Sequence, residues 1–358
     1  MSIEQLATKL ENIYSVYGYV PYTMRKFEEY ELYLRNKDFL ISDRVLTFTD
    51  TDGKLMALKP DVTLSIIKNT ADQQDGVRKV FYRENVYRPD NQGFREIMQL
   101  GLECMGTVDD YCVLEVMLLA VDSLRAVGRD CVLDVSHMGL LSQLLQKYGF
   151  SGEKEQKILK AIGSKNTHEI RSICAQVGVP AENLVDIAAL SGTVTQVLPV
   201  LQRVYGDDPM LYSFLNLLRA LEQSGADCIN VDFSVVNDMS YYNGIVFRGF
   251  VEGVPDGVLS GGEYDGLMQK MNRKDKAIGF ALYPDLLKRI ITNTQNQTVD
   301  ALLLYDAETD ICAVSTAMKM LTQTGICVKA QCGAKPASFN GAVYRLKGNE
   351  VIPVEADA

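Results

Sequence analysis

Strand-like segments occupy two blocks of this chain, 45–106 and 228–282, and a long stretch with helical spacing, 138 to about 225, separates them. A sheet built from both blocks must let the chain leave, fold a set of helices, and return. Within the first block, VLTFTD and KLMALKP flank Thr51-Asp52-Gly53 as a hairpin. VRKVFYRENVYR (77–88) and FREIMQLGLECMG (94–106) read as a second antiparallel pair joined by a polar loop. Residues 3–17 and 109–127 have amphipathic helical spacing, and DCVLDVS (130–136) returns as a strand. CINVDFSVV, YYNGIVFRGFV and AIGFAL supply the second block. The expected architecture is α+β: a mostly antiparallel sheet flanked by helices over 1–291, with the helical insertion inside it. A polar stretch at 292–298 reads as a linker, and 299–358 reads as a small α/β domain containing one βαβ-like unit. No Gly-x-Gly-x-x-Gly follows a strand and no Walker sequence occurs, so neither nucleotide-binding motif supports a Rossmann or P-loop domain.

Composition narrows the chemistry. The 358 residues include eight scattered cysteines without a Cys-x-x-Cys pair, which fits reduced, mostly buried thiols in a cytoplasmic protein. With only His137 and His168 present, and neither in a ligand spacing, no metal site is expected. Histidine-based nucleophilic triads lose their footing for the same reason. The opening MSIEQLATKLENIY reads as an amphipathic helix with early acids, so neither an export leader nor a membrane anchor is expected. A formal charge of −10 disfavours a polyanionic partner such as tRNA, because phosphate binding scales with the cations presented.

Four short groups could carry chemistry. In LKPDVTL, Asp61 and Thr63 are two apart and are expected on one face of a strand end, where carboxylate and hydroxyl could receive an ammonium group. An ordinary Pro60-Asp61 turn is the alternative. In QLGLE, strand alternation puts Gln99, Gly101 and Glu103 on one side, with the glycine leaving room for a small ligand. Tyr241 and Tyr242 are expected on a strand, pointing to opposite faces. Gly261-Gly262-Glu263-Tyr264-Asp265-Gly266 demands close backbone approach, since three glycines in six residues exceed what a solvent loop needs.

In this order, LKPDVT, VYR-loop-REIMQLGLE, SYYNGIVF and GGEYDGL…AIGFAL resemble the histidyl-tRNA synthetases, across 1 to about 290. The resemblance implies a class II synthetase-like core and a histidine pocket. Asp61, Thr63 and Gln99 would meet the amino group, with Glu103, Tyr242 and Tyr264 around the imidazole. It implies a phosphate or anion contact for Arg88. Departures bear on activity: Asn237 stands where those enzymes carry an arginine used in amino-acid activation, Leu286 stands for an ATP-binding arginine, and Glu263 replaces an arginine after the double glycine. Arg25 stands for the dimer-interface proline, although Glu28 remains. An asparagine or leucine cannot replace a bidentate cation.

A histidine pocket without its cationic clamps is similar to the regulatory subunits of ATP phosphoribosyltransferase, a non-catalytic branch of the same superfamily. That resemblance implies a hetero-oligomer with a short-form catalytic chain, a self-dimer, histidine as effector, no cofactor and no tRNA. The catalytic partner would join ATP to phosphoribosyl pyrophosphate, the first step of histidine biosynthesis. A divergent synthetase and a stand-alone histidine sensor remain the alternatives.

Overall fold

A computed structural model of the protein describes residues 1–37, 40, 44–72, 76–90, 93–236, 242–291, 299–336, 339 and 341–354. Two compact units divide the chain, Ile3–Thr292 and Asn293–Ala358. The segment read as a linker lies outside the described residues, as do Asn237 and Tyr241.

The first unit is organised on a nine-stranded sheet. Its spatial order is Val20–Pro21, Val77–Asp90, Gly93–Gly106, Lys276–Leu282, Leu259–Glu263, Ile245–Val251, Cys131–His137, Ile229–Asp232 and Ser191–Gly192. The centre is antiparallel; the pairings of Val20–Pro21 with the long hairpin and of Cys131–His137 with Ile229–Asp232 are parallel. Period-two alternation decides which residue meets which layer. Phe81, Leu102 and Phe280 turn to one face, where helices Ile3–Val16 and Asp110–Arg125 bury Leu6, Leu10, Tyr14, Val116 and Leu124 against them. Tyr14 settles this layer: its ring lies 6.0 Å from both Phe81 and Phe280, and its hydroxyl is 2.8 Å from Ser123 Oγ. Each such fully buried apolar side chain contributes roughly 1.5–3 kcal/mol. Val80 and Tyr82, neighbours of Phe81, turn the other way. There the short helices Thr63–Asn69 and Asp265–Lys270 bring Leu64, Ile66, Ile67, Leu267 and Met268.

The insertion holds six helices, Met138–Lys147, Gly152–Gly163, Thr167–Val177, Glu182–Ala189, Val194–Tyr205 and Pro209–Gln223, and contributes the two-residue edge strand Ser191–Gly192 between the fourth and fifth. Their ends are written locally. Asp208 accepts from Met210 N at 2.8 Å with Pro209 in the first turn, Thr193 and Gln196 form a capping box, and Gly178 stops a helix at φ 79°. His137 caps the first of these helices, and burial pulls its imidazole down to about 4. His168 is exposed. The second unit pairs Val328–Cys332, Ala301–Tyr305 and Ala342–Lys347 in parallel, adds Glu350–Pro353 antiparallel, and packs helix Ile311–Thr322 through Ala313, Ala317 and Leu321 onto Leu303 and Leu346.

Three expectations need correction. Asp61 and Thr63 do not end a strand: the strand Leu55–Leu58 stops before Pro60, and Thr63 opens a helix. Proline supplies no ladder donor, and the Asp61 carboxylate accepts from Leu64 N at 2.9 Å, which favours a helix start. Tyr242 precedes its strand, which begins at Ile245. All eight cysteines are free, but only Cys104, Cys112 and Cys174 are buried; Cys312, Cys327 and Cys332 are exposed in the small second unit, where helix Ile311–Thr322 covers one side of a narrow sheet. No helix among the described residues is long and apolar enough to cross a membrane.

The segment entering Asp61 is fastened by a buried ion pair. Lys59, 1% exposed, pairs with Glu84, whose second oxygen accepts from Met24 N at 2.9 Å. The Lys59 carbonyl accepts from Tyr87 N at 2.9 Å. Removing one member leaves the other charge unpaired in the interior. Glu84→Ala should therefore cost about 3–5 kcal/mol in urea unfolding, and Lys59→Met with Glu84→Leu should cost less than that single change.

Candidate functional site

The site grows out of strand alternation. Gln99, Gly101 and Glu103 face away from the Leu100–Leu102–Cys104 core row. Tyr82 stands opposite Gly101, Gly279 opposite Glu103, and Gly262 opposite Gly279. The glycines are required by space. A Cβ at 279 would overlap Glu103 Oε2, and one at 101 would overlap the Phe280 carbonyl and lie 2.5 Å from the Tyr82 hydroxyl. At 262 it would come within 2.6 Å of the Tyr242 ring. Side chains removed from the sheet surface leave a cavity of about 1060 Å³.

Asp61, Thr63, Arg88, Gln99, Glu103, Tyr242 and Tyr264 all line this one cavity. Glu103 is its buried end, 2% exposed. Thr63 Oγ1 lies 2.9 Å from Glu103 Oε1, and the Tyr264 hydroxyl lies 2.7 Å from Oε2. Burial is the largest influence on Glu103 and pushes its carboxyl up to about 8; the two hydroxyls oppose the shift, and nearby Asp61 adds to it. Asp61 is also pushed up, chiefly by burial, against the pull of Arg88 and of its backbone donors. Arg88 Nη2 is 3.8 Å from Asp61 Oδ2 while its Nε donates to the Pro60 carbonyl at 2.9 Å, so this guanidinium already braces the Pro60–Asp61 turn. Gln99 is 3% exposed. Burial also pushes the Tyr242 hydroxyl well above its ordinary value, keeping it a neutral donor.

Other lining residues escape the motif reading: Tyr82, Arg95, Arg248, Tyr283, Asp285 and Lys288. Tyr82 was within reach, because the hairpin register that faces Glu103 inward places Tyr82 opposite Gly101. Arg248 joins through pairing of its strand with Leu259–Glu263, a long-range register that single-strand periodicity does not contain. The added cations have engagements of their own. Lys288 pairs with Asp285 at 2.6 Å, Arg95 lies 3.8 Å from Asp90, and the Arg248 guanidinium lies 5.5 Å from the Phe250 ring centre. Leu286 also lines the cavity, on the short helix Pro284–Arg289, which Asp285 fastens by accepting from Met98 N at 3.1 Å. Glu263, one residue before Tyr264, accepts from Ile245 N at 2.6 Å. Among the described residues no group of three or more His, Cys, Asp and Glu could hold a metal.

An amphiphilic, cationic small molecule suits this chemistry: acids and hydroxyls inside, aromatic walls, and an amide at Gln99. The antiparallel sheet with its helical insertion and this cavity define a class II aminoacyl-tRNA synthetase-like α+β protein. Residues 1–287 match the family model described as histidyl-tRNA synthetase, and the chain belongs to that family. Its relatives carry two names. An ATP phosphoribosyltransferase regulatory subunit from Halothermothrix orenii is 27% identical over 99% of this chain and 83% of its own length. A histidine–tRNA ligase from Methanocaldococcus jannaschii is also 27% identical, over 82% and 72% respectively. A crystal structure from Bacillus halodurans, described as an ATP phosphoribosyltransferase regulatory subunit/histidyl-tRNA synthetase, has a TM-score of 0.82 and covers 93% of this chain and 90% of that one at 23% identity, a likeness of fold.

Glu103 also makes stability depend on pH. Its folded pKa of about 8 exceeds the ordinary 4.5, so the native state keeps this proton where the unfolded chain has lost it. The contribution is complete below the unfolded value and disappears as pH rises through the folded one. Glu103→Gln should thus flatten the stability profile between pH 5 and 8.5, gaining on the wild type by a few kcal/mol, order of magnitude, toward the alkaline end. Denaturant titrations across that range measure the gap.

Proposed function

We propose that this chain is a non-catalytic regulatory subunit of ATP phosphoribosyltransferase that binds histidine in the cavity. Its catalytic partner would be a short-form chain carrying out the first step of histidine biosynthesis in the cytoplasm, with a self-dimer of this chain inside the hetero-oligomer. The observation that carries the reading is the uneven make-up of the cavity: Glu103 keeps hydroxyl partners in Thr63 and Tyr264 at its inner end, with Asp61 a shorter acid than the family's usual glutamate, while position 286 presents leucine. The name of the Halothermothrix relative, whose alignment takes in almost the whole chain, supports the same choice. Asp61, Thr63 and Gln99 are assigned to the ammonium end of histidine, and Glu103, Tyr242 and Tyr264 to the imidazole. Arg88, bracing Pro60–Asp61, is assigned to the ligand carboxylate or another anion. Feedback then requires histidine to bind two assembly states with different affinities, and a difference of about 1–3 kcal/mol gives 5- to 150-fold control.

Histidyl-tRNA synthetase activity is the second reading. It is favoured by the equally similar ligase relative and by Arg95, Arg248 and Lys288, which line the same cavity and could meet phosphates. Against it stand Leu286, the acids already paired with Arg95 and Lys288, and a net charge of −10.

Two assays separate the readings. Mixed with a short catalytic chain, this protein should raise phosphoribosyl transfer, and histidine should lower it again; no gain on mixing rejects the proposal. Histidine-dependent ATP–pyrophosphate exchange should be absent, and measurable exchange would promote the synthetase reading. In calorimetry, Glu103→Gln should weaken histidine binding about 10- to 100-fold, the scale of a lost hydrogen bond to a charged group.

A further inference from the structure

We infer that Glu263 is a positioning residue that sets the Tyr242 wall of the cavity from outside it, an inference resting on the histidine-binding reading only in its second readout. Glu263 occupies the last position of the strand Leu259–Glu263, directly before Tyr264, yet it takes no part in the cavity lining. Its side chain reaches across to the neighbouring chain segment. Oε2 accepts from Ile245 N at 2.6 Å, and the Glu263 carbonyl accepts from Asn243 N at 3.2 Å. Both bonds fall on the residues that immediately follow Tyr242.

The fit between the carboxylate and this segment is close. A Cβ on Gly244 would overlap Glu263 Oε2, so glycine is what lets the backbone lie on the carboxylate. On its far side Gly244 is held by its own carbonyl, which accepts from Met138 N at 2.8 Å. The Tyr242 ring meanwhile rests on Gly262, whose missing Cβ would come within 2.6 Å of it. Tyr242 is thus fixed from two directions, by the bare backbone of Gly262 beneath its ring and by Glu263 holding the residues after it.

The acid at this position is a structural acceptor for a backbone donor. An arginine has no acceptor to offer Ile245 N and would leave that amide unsatisfied beside a misplaced cation. Because only the acceptor oxygen matters, glutamine should serve nearly as well as glutamate. Alanine should not, since it frees the segment and the ring it carries.

Amide hydrogen exchange on the full chain tests this without a ligand. Over 242–248, Glu263→Ala should exchange at least about tenfold faster, and Glu263→Gln should stay within about threefold of the wild type. Histidine titration by calorimetry is the second readout. Glu263→Ala should lose about tenfold in affinity with Tyr242 present and less than twofold in a Tyr242→Ala background, because the effect passes through that ring. Unchanged exchange in Glu263→Ala, equal damage from glutamine and alanine, or additive losses in the double variant would each overturn the inference. Should Glu263→Ala fail to fold, Gly244→Ala presses on the same carboxylate from the other side; it should raise exchange over the same residues, and no change there overturns the inference equally. A wild type that binds no histidine while the exchange pattern holds would reject the histidine reading and leave the positioning role standing.

Discussion

A carboxyl group buried in the middle of a sheet is the constraint from which the rest of this molecule follows. Glu103 sits where a core strand would ordinarily offer an apolar residue, and a buried acid without partners costs several kcal/mol. Three features answer that cost. Gly279 on the neighbouring strand clears the space its side chain occupies, and Gly262 beyond it makes room for the Tyr242 ring. Two short helices on the same face deliver hydroxyls, Thr63 from the first turn of one and Tyr264 from the residue before the other. The opposite face carries the large apolar layer built on Tyr14, Phe81 and Phe280, so the strands stay anchored where one side of the sheet is hollowed out.

Both signs of charge line the cavity. Two acids lie toward the closed end, both with carboxyls pushed up by burial, while Arg95, Arg248 and Lys288 stand in the wall with acidic or aromatic neighbours of their own. On the proposed reading, a cationic ligand entering the inner end would replace lost hydration for two acids at once. Regulation on that reading would require a rearrangement that changes the ligand's affinity between two states.

Much of this was legible from residues alone, and the failures have physical causes. Hairpin signals and period-two alternation located the long strands and put Gln99, Gly101 and Glu103 on one face. Glycine density at 261–266 pointed to close approach, which the Gly261 and Gly262 neighbours display. Helical spacing between Met138 and Gln223 marked the insertion. The Asp61–Thr63 geometry was misread because a proline followed by an acid stops a strand and starts a helix equally well within a few residues. Arg248 and Lys288 were invisible, since their place in the cavity depends on registers and loops far apart in sequence. The Lys59–Glu84 pair shared that fate: nothing local distinguishes a buried lysine from a solvated one.

The insertion leaves and rejoins the sheet on neighbouring strands. Cys131–His137 runs directly into the first inserted helix, and Ile229–Asp232, following the last, lies parallel beside it, with Leu133 N bonded to the Cys228 carbonyl at 2.8 Å. The two stems of a six-helix excursion are therefore stitched together at its base, and closing so long a loop costs little more than closing a shorter one. Evolution could lengthen, trim or resurface that lobe for new acquaintances while the hollow beneath the glycines kept its shape.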